Sequence, residues 1–186
     1  AEWSYWQRLV HIDAWASLSV GPTQVPRMQI DGVDFGLIWS APRLEVVPFQ
    51  AWFGDGDLVV EATLDVPTRK VVATAFSTAD PHAVEGWMNA KARESIGQYG
   101  WDKESLPRLS GQVGITLPGW GIPDHEARLE IHRSLTMDAW LSGTNLSFRG
   151  LPTLTAHGAI TYTNRYWRIG PLDIVRPEGS VQLSYE

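Results

Sequence analysis

Apolar and polar residues alternate with a period of two along most of the chain. The clearest runs cover residues 12–20, 57–66, 112–117, 127–132 and 181–186. Because successive side chains of a strand point to opposite faces, each run predicts a strand with one apolar and one polar face. Turn-forming pairs such as Gly21-Pro22, Asp31-Gly32 and Pro118-Gly119 separate the runs. The pattern predicts a mainly β protein of about a dozen strands, antiparallel to one another.

One segment departs from this alternation. Asp80 can cap a helix, and Pro81 suits its first turn. Beyond them Val84, Trp87 and Met88 begin a series of apolar residues at helical spacing. We therefore predict one α-helix at about residues 81–96.

The chain also contains a degenerate internal repeat. Asp13-Ala14-Trp15 recurs 125 positions later as Asp138-Ala139-Trp140, and two further blocks recur in the same order at spacings of 126 and 123. The blocks predict repeat-like halves at about 10–78 and 109–186, joined by the helix and a linker at 79–108. We interpret residues 1–186 as one domain, a segment of a longer repetitive β protein.

Strands with one apolar face require a cover for that face. About a dozen strands at roughly 4.8 Å spacing give a sheet 50–60 Å wide, of which one helix covers only about 10 Å. Either the sheet closes on itself as a sandwich or barrel, or it curls into a groove that holds an apolar ligand. The alternation alone leaves both solutions open.

The order of motifs favours the open groove through a family resemblance. The first group consists of four segments in order: Gly32-Val33-Asp34-Phe35, residues 43–49, a turn at 53–57 and an alternating strand at 58–65. The group recurs as residues 158–162, residues 167–173 and residues 177–183, the last of which contains both the turn and the alternating strand. This order resembles the AsmA-like family, which includes the TamB-type proteins of the bacterial envelope. The similarity covers roughly residues 10–78 and 109–186, and the helix and the abundance of tryptophan are not part of it.

The resemblance implies a long curled antiparallel sheet, open like a taco, that binds phospholipid or other acyl lipid and conducts it between the inner and outer membranes. It also implies a place in the periplasm of a Gram-negative-type bacterium, with a parent protein anchored in the inner membrane. Acyl chains need a lining free of unpaired polar groups. The residues expected to line the groove are Leu58, Val60, Leu64, Leu129, Ile131, Ile160, Val181 and Leu183.

Composition and motifs argue against other functions. The net charge is −6 with no basic stripe, which disfavours nucleic acid as a partner, and the absence of cysteine excludes disulfides and thiolate metal sites. The five histidines lack the usual metal-ligand spacing, and the Gly-Asp-Gly-Asp sequence at 54–57 lacks the rest of a calcium loop. No nucleophile, phosphate-loop or dinucleotide motif occurs. We therefore expect no catalysis, metal or cofactor.

Two other functions stay open: the ten tryptophans favour the first, and the internal repeat is compatible with the second. A compact β-sandwich could bind carbohydrate by stacking Trp39, Trp52 or Trp120 on sugar rings, and a ligand-free module could serve the assembly of an envelope complex. Trp15 and Trp140 occupy matching positions in the repeat, on the polar side of their strands. They either pack against neighbouring elements or contact a ligand at the rim.

Overall fold

The structure, a computed structural model, describes residues 8–25, 28–87, 90–119, 121–152, 155–163 and 166–185. Its strands are β1 (Asp13–Val20), β2 (Thr23–Val25), β3 (Met28–Ile30), β4 (Gly32–Ser40), β5 (Arg43–Phe53), β6 (Gly56–Asp65), β7 (Lys70–Ser77), β8 (Tyr99–Gly100), β9 (Arg108–Thr116), β10 (Thr136–Thr144), β11 (Ser147–Phe148), β12 (Leu151–Pro152), β13 (Thr155–Thr163), β14 (Tyr166–Arg176) and β15 (Gly179–Tyr185). The helices are α1 (Ala90–Ile96), α2 (Asp124–Ser134) and two 3₁₀ helices, Pro81–Trp87 and Lys103–Ser105.

Ten of the strands form one long antiparallel sheet. Their order is β1-β4-β5-β6-β7-β9-β10-β13-β14-β15, and every neighbouring pair is antiparallel. Since β1 and β15 lie at opposite ends and do not pair with each other, the sheet is not closed into a barrel. The predicted fold, a mainly β protein with one long open antiparallel sheet, is confirmed. The remaining strands form a β2–β3 pair and a small sheet of β12, β11 and β8.

The predicted helical segment divides into two pieces. The 3₁₀ helix Pro81–Trp87 comes first, and α1 follows it. Asp80 starts the first piece as expected, because its carboxylate accepts the backbone N–H of His82 at 2.9 Å and its carbonyl accepts that of Ala83 at 2.9 Å. Met88 of the predicted apolar series lies outside the described residues.

The strand predicted over residues 127–132 is wrong, because this stretch belongs to α2. Asp124 and Glu126 place negative charge in its first turn, where the helix dipole favours it. Ala127 and Ile131, four residues apart, are half-buried, whereas Leu129 is 44% exposed. Apolar residues at 127, 129 and 131 fit a strand as well as one side of a helix, so the short alternation was ambiguous.

Contacts with the end of β9 hold α2 in place. The Ser134 hydroxyl accepts the backbone N–H of Thr116 at 3.0 Å, and Glu130 accepts that of Gly119 at 3.2 Å. Arg69 lies 3.8 Å from the Glu130 carboxylate. Helix α2 therefore belongs to the connection between β9 and β10 and lies at the ends of these strands. His132 lies on α2 and not on a strand.

The two halves of the sheet repeat each other with a single spacing. β4 and β13 start 123 positions apart (32 and 155), as do β5 and β14 (43 and 166) and β6 and β15 (56 and 179). The pairing is irregular at Gly36 in the first half and at Ala159 in the second. It is also irregular at residues 47–48 and at residues 170–171, so both irregularities recur with the same spacing of 123. Such bulges bend the strands and increase their twist.

This register corrects the predicted equivalence of Trp15 and Trp140. Trp140 is opposite Ala159, which corresponds to Gly36, and the partner of Gly36 is Ser17. Trp140 therefore corresponds to Ser17, two positions from Trp15, although all three residues lie on the same face. The spacings of 125 and 126 between the motif blocks do not match the strand pairing.

Buried residues are few among the described positions, and half of the six buried apolar residues lie outside the main cluster: Val66, Ala139 and Tyr162. Ile30, Ala51 and Phe53 form the main buried cluster, with Val33, Phe49, Leu58 and Ala79 packed against it. β3 lies between β5 and the 3₁₀ helix Pro81–Trp87 and covers this end of the sheet. The accessible area is 12416 Å², whereas the scaling for compact monomers of this mass gives about 8,900 Å². Much of the sheet is therefore uncovered.

Candidate binding face

Strand pairing places most of the apolar residues of the ten strands on one side of the sheet. Directly paired residues of antiparallel strands share a face, so Val60 lies beside Phe49 and Ala75, and the next strands continue the row. We call this side the apolar face. Its described apolar side chains are Ala14, Ala16, Leu18, Val20, Val33, Phe35, Leu37, Trp39, Leu44, Val46, Phe49, Ala51, Phe53, Leu58, Val60, Ala62, Leu64, Val71, Ala73, Ala75, Leu109, Val113, Ile115, Met137, Ala139, Leu141, Ala156, Ile160, Tyr162, Ile169, Leu172, Ile174, Val181 and Leu183.

Polar groups on the apolar face are few. Among the described positions the one charged side chain is Arg176, at the rim end of β14, where its Nε is buried without a hydrogen bond and lies 3.4 Å from the Glu178 carboxylate. The Ser77 hydroxyl donates to the Asp57 carbonyl at 3.1 Å, and Trp39 Nε1 donates to the Leu9 carbonyl at 3.0 Å. The middle of the face therefore lacks the unpaired charges that would repel hydrocarbon.

Apart from β3 at one end, no strand of the small sheets packs extensively on the apolar face within the described chain. Leu18 is 49% exposed, and Val181 and Leu183 are each 50% exposed. Ten strands at about 4.8 Å spacing and about 3.4 Å per residue cover roughly 43 by 30 Å, or about 1,300 Å². Soluble monomers rarely expose apolar patches above about 300–600 Å². The sheet is open and does not form a sandwich, so it leaves an apolar area larger than soluble monomers usually expose. A ligand or a partner is needed to cover this area.

The structure places six of the eight predicted lining residues on the apolar face. They are Leu58, Val60, Leu64, Ile160, Val181 and Leu183. Leu129 and Ile131 are not on the sheet, because they belong to α2 at its edge. Their selection depended on the strand wrongly predicted over residues 127–132.

Sequence reasoning missed part of the face on β9, β10 and β13, where glycines interrupt the apolar series. A side chain at Gly111 would bring its Cβ within 2.7 Å of the Ala139 Cα, and one at Gly158 within 2.9 Å of the Leu172 Cα. Close approach of neighbouring strands explains both glycines. The sequence alone does not assign Gly111 and Gly158 to the apolar face, because the contact that explains each glycine depends on which strand lies beside it.

The opposite face is polar, with a few exposed rings. A row across β13, β14 and β15 joins His157, Asp173 and Gln182: Gln182 Nε2 donates to Asp173 at 2.8 Å, and His157 Nε2 lies 3.4 Å from Asp173. The Trp140 ring packs against His157 with centroids 5.8 Å apart, whereas Trp15 is 79% exposed. Packing on a neighbouring strand therefore accounts for Trp140 but not for Trp15.

Two of the three tryptophans considered for sugar stacking, Trp39 and Trp52, lie on opposite faces of the sheet. Trp39 lies on the apolar face and Trp52 on the polar face, and both are half-buried. Trp120 lies outside the described residues. The described part of the chain therefore does not bring Trp39 and Trp52 together on one face.

The acidic turn at residues 54–57 has a structural role. The Thr78 hydroxyl donates to the Asp57 carboxylate at 2.6 Å, and the Asp57 backbone N–H lies 3.1 Å from the same hydroxyl oxygen. A polar cleft of about 500 Å³ lies nearby at the rim, between Asp55, Lys103 and His157. Within the described ranges no three histidine or acidic side chains converge to hold a metal ion, and no helix among them is long and apolar enough to cross a membrane.

Comparison with known proteins adds no relative. No protein-family description, curated protein or solved structure matches the chain. The likeness to AsmA-like proteins therefore rests on the motifs and their order alone.

Proposed function

We propose that this chain binds acyl lipid on the apolar face and lets it move along the sheet, as part of an AsmA-like envelope protein that passes phospholipid between membranes. The observation that carries the proposal is the unbroken apolar face itself. It crosses nine strand junctions, and its one described charge, Arg176, lies at the rim.

Hydrocarbon suits this face for energetic reasons. Each CH₂ group that leaves water contributes about 0.8 kcal/mol, and the interaction has no preferred direction. An acyl chain can therefore shift from one strand to the next without breaking hydrogen bonds or passing an isolated charge. Movement of this kind is partitioning, for which no nucleophile, base or metal is required.

The rims suit a polar headgroup. Strand ends at one rim carry Asp13, Arg43 and Lys70, and the opposite rim carries Asp55 and Lys103 near the polar cleft. Because charges of both signs lie there in water, a headgroup can remain solvated while its acyl chains contact the apolar face. This arrangement supports a lipid as ligand over a purely hydrophobic small molecule.

A pair of neighbouring residues provides the test. Val60 lies on the apolar face of β6, whereas Val59 lies on the polar face, opposite Gln50 and Phe76. Lipid bound to the purified chain is measured by native mass spectrometry and by solvent extraction of the same sample. We expect Val60→Asp to lower the bound lipid more than tenfold, because an unpaired carboxylate beside hydrocarbon costs well over about 1.4 kcal/mol.

Val59→Asp is the matched control and should retain lipid at the wild-type level. Circular dichroism shows whether each variant is folded, and an unrelated β-sandwich purified in parallel measures nonspecific carry-over. A folded wild-type chain without lipid, or a folded Val60→Asp chain with undiminished lipid, would contradict the proposal. The second result would favour a face covered by a protein partner.

A further inference from the structure

Two neighbouring clefts at one rim of the sheet are lined by hydrogen-bond donors that the described chain does not use. The first cleft has a volume of about 500 Å³ and the second about 410 Å³, and both include Asp55, Lys103 and Leu106 in their linings. Small-molecule sites have volumes of roughly 300–1,000 Å³. The donor side chains of the first cleft, apart from His157, are Lys103, Ser105, Arg108, Ser142, Thr144 and Thr155. Within the described residues, none of these side chains makes a hydrogen bond or an ion pair.

The clefts carry charges of both signs. Lys103 and Arg108 bring positive charge to the first cleft, and Asp55 and Glu104 bring carboxylates. Ammonium and guanidinium groups donate short, charge-assisted hydrogen bonds to phosphate oxygens, and hydroxyl groups add neutral donors. Two further carboxylates line the second cleft, those of Asp31 and Asp80. The side chains therefore suit a ligand with a phosphate group at one end and an amine at the other.

Both clefts adjoin the apolar face. Ala156 lines the first cleft and lies on the apolar face, paired with Gly143 and Ile174. Phe53 lines the second cleft and belongs to the buried cluster at this end of the face. A phosphate held by Lys103 therefore has a surface for hydrocarbon directly beside it. A soluble phosphate ester leaves that surface unused, which favours a lipid headgroup as the ligand.

We propose that the two clefts bind the zwitterionic headgroup of a glycerophospholipid, with its phosphate against Lys103 and Arg108 and its amine against Asp55. The inference rests on the proposed function, because it assigns the headgroup of a lipid whose acyl chains lie on the apolar face. It narrows the ligand from acyl lipid in general to an amine-bearing phospholipid such as phosphatidylethanolamine. Since the acyl chains and the headgroup contact different residues, substitutions can remove the two interactions separately.

The test loads the purified chain from vesicles of phosphatidylethanolamine and phosphatidylglycerol with a minor fraction of diacylglycerol, all with the same acyl chains. Mass spectrometry against isotope-labelled standards compares the ratio of lipids on the chain with the ratio in the vesicles. One variant combines Lys103→Ala with Arg108→Ala, and another is Asp55→Asn. The control combines Arg128→Ala with Arg133→Ala, which removes the same charge from exposed positions on α2, at the other ends of β9 and β10.

We expect the wild-type chain to enrich phosphatidylethanolamine over diacylglycerol about fivefold, because exposed ion pairs are individually weak. Loss of Lys103 and Arg108 should abolish this enrichment and leave the total amount of bound lipid unchanged. Asp55→Asn should abolish only the preference for phosphatidylethanolamine over phosphatidylglycerol. The control should match the wild type, and circular dichroism shows whether each variant is folded.

Equal enrichment of all three lipids on the folded wild-type chain would overturn the headgroup assignment and leave the acyl-chain proposal standing. A preference for phosphatidylglycerol over phosphatidylethanolamine, or full enrichment without Lys103 and Arg108, would also overturn it. A chain that takes up no lipid would contradict the proposed function and this inference with it. If glycerophosphoethanolamine, which has no acyl chains, shifted the NMR resonances of Lys103 and Arg108 in a chain without lipid preference, the clefts would bind a soluble phosphate ester and the assignment to lipid would be wrong.

Discussion

Gly36 and Ala159 occupy the same place in the two halves of the sheet, 123 positions apart, and each lies where the strand pairing is irregular. Their surroundings differ. A Cβ at Gly36 would lie 2.5 Å from the Val47 carbonyl oxygen, which is closer than side-chain carbons approach backbone oxygen. The second half accommodates a methyl group at the corresponding bulge, and the first half does not.

Gly36→Ala should therefore destabilise the chain. Because the obstructing atom is backbone, relief requires the β4–β5 pair to shift, and we expect a loss of about 1–3 kcal/mol in the free energy of unfolding. Urea unfolding followed by circular dichroism measures it. Gly21→Ala is the control, since no atom lies within 4 Å of its added Cβ. Equal stability of the two variants would show that the bulge adapts without strain.

The position of α2 predicts which of the expected lining residues matter for lipid. Leu129→Asp places a carboxylate on a helix position that is 44% exposed and not part of the sheet. Leu64→Asp places one on the apolar face, beside Leu44 and Val71. We expect Leu129→Asp to retain bound lipid and Leu64→Asp to lose most of it, as measured by extraction from the purified chains. Loss of lipid from a folded Leu129→Asp chain would mean that α2 closes over the ligand.

Period-two alternation was sufficient to predict a mainly β fold, but not the open form of the sheet or the composition of its apolar face. The runs at 12–20 and 57–66 fall on strands β1 and β6, because a one-sided strand leaves this pattern without reference to its neighbours. Residues 127–132 were misassigned because six residues do not separate the two periodicities. The correspondence of Trp140 with Ser17, and the role of Gly111, depend on pairing between strands distant in sequence. The residue pattern within one strand does not show which distant strand it pairs with or in which register.

The turn between β6 and β7 predicts a dependence of stability on pH. The Thr68 hydroxyl donates to the Asp65 carboxylate, and the Thr68 backbone N–H also lies 3.1 Å from it. These bonds, with a smaller contribution from Arg43, hold the pKa of Asp65 below its ordinary value of 3.8. A lowered pKa in the folded state stabilises the fold above the ordinary value, and this stabilisation is lost as the pH falls through the lowered pKa.

Thr68→Val removes the hydroxyl donor and keeps the β-branched shape. We expect it to lower the urea midpoint at pH 7 and to have a smaller effect at pH 3, where the unfolded chain already binds the proton in most molecules. Asp65→Asn should likewise lower the urea midpoint more at pH 7 than at pH 3. If Thr68→Val lowered the urea midpoint equally at both pH values, the contribution of Thr68 to stability would come from packing of its side chain and not from its hydrogen bond to the Asp65 carboxylate.

The repeat allows the lipid proposal to be tested at equivalent positions in the middle and at the end of the sheet. Leu183 corresponds to Val60, but it lies on the edge strand β15 and is 50% exposed, whereas Val60 has neighbours on both sides. A carboxylate at the edge remains in water while an acyl chain lies beside it, so its desolvation cost is lower. We expect Leu183→Asp to reduce bound lipid less than Val60→Asp does, by a fewfold compared with more than tenfold.

Ser180→Asp is the control for the edge, because Ser180 is exposed on the polar face of the same strand, opposite Val175, and its substitution should leave bound lipid unchanged. All variants are compared by native mass spectrometry at equal protein and lipid concentrations. If Leu183→Asp abolished binding and Val60→Asp did not, the ligand would sit at the end of the sheet instead of along it. The chain would then hold lipid at one terminal site, and conduction along the sheet would be the part of the proposal to abandon.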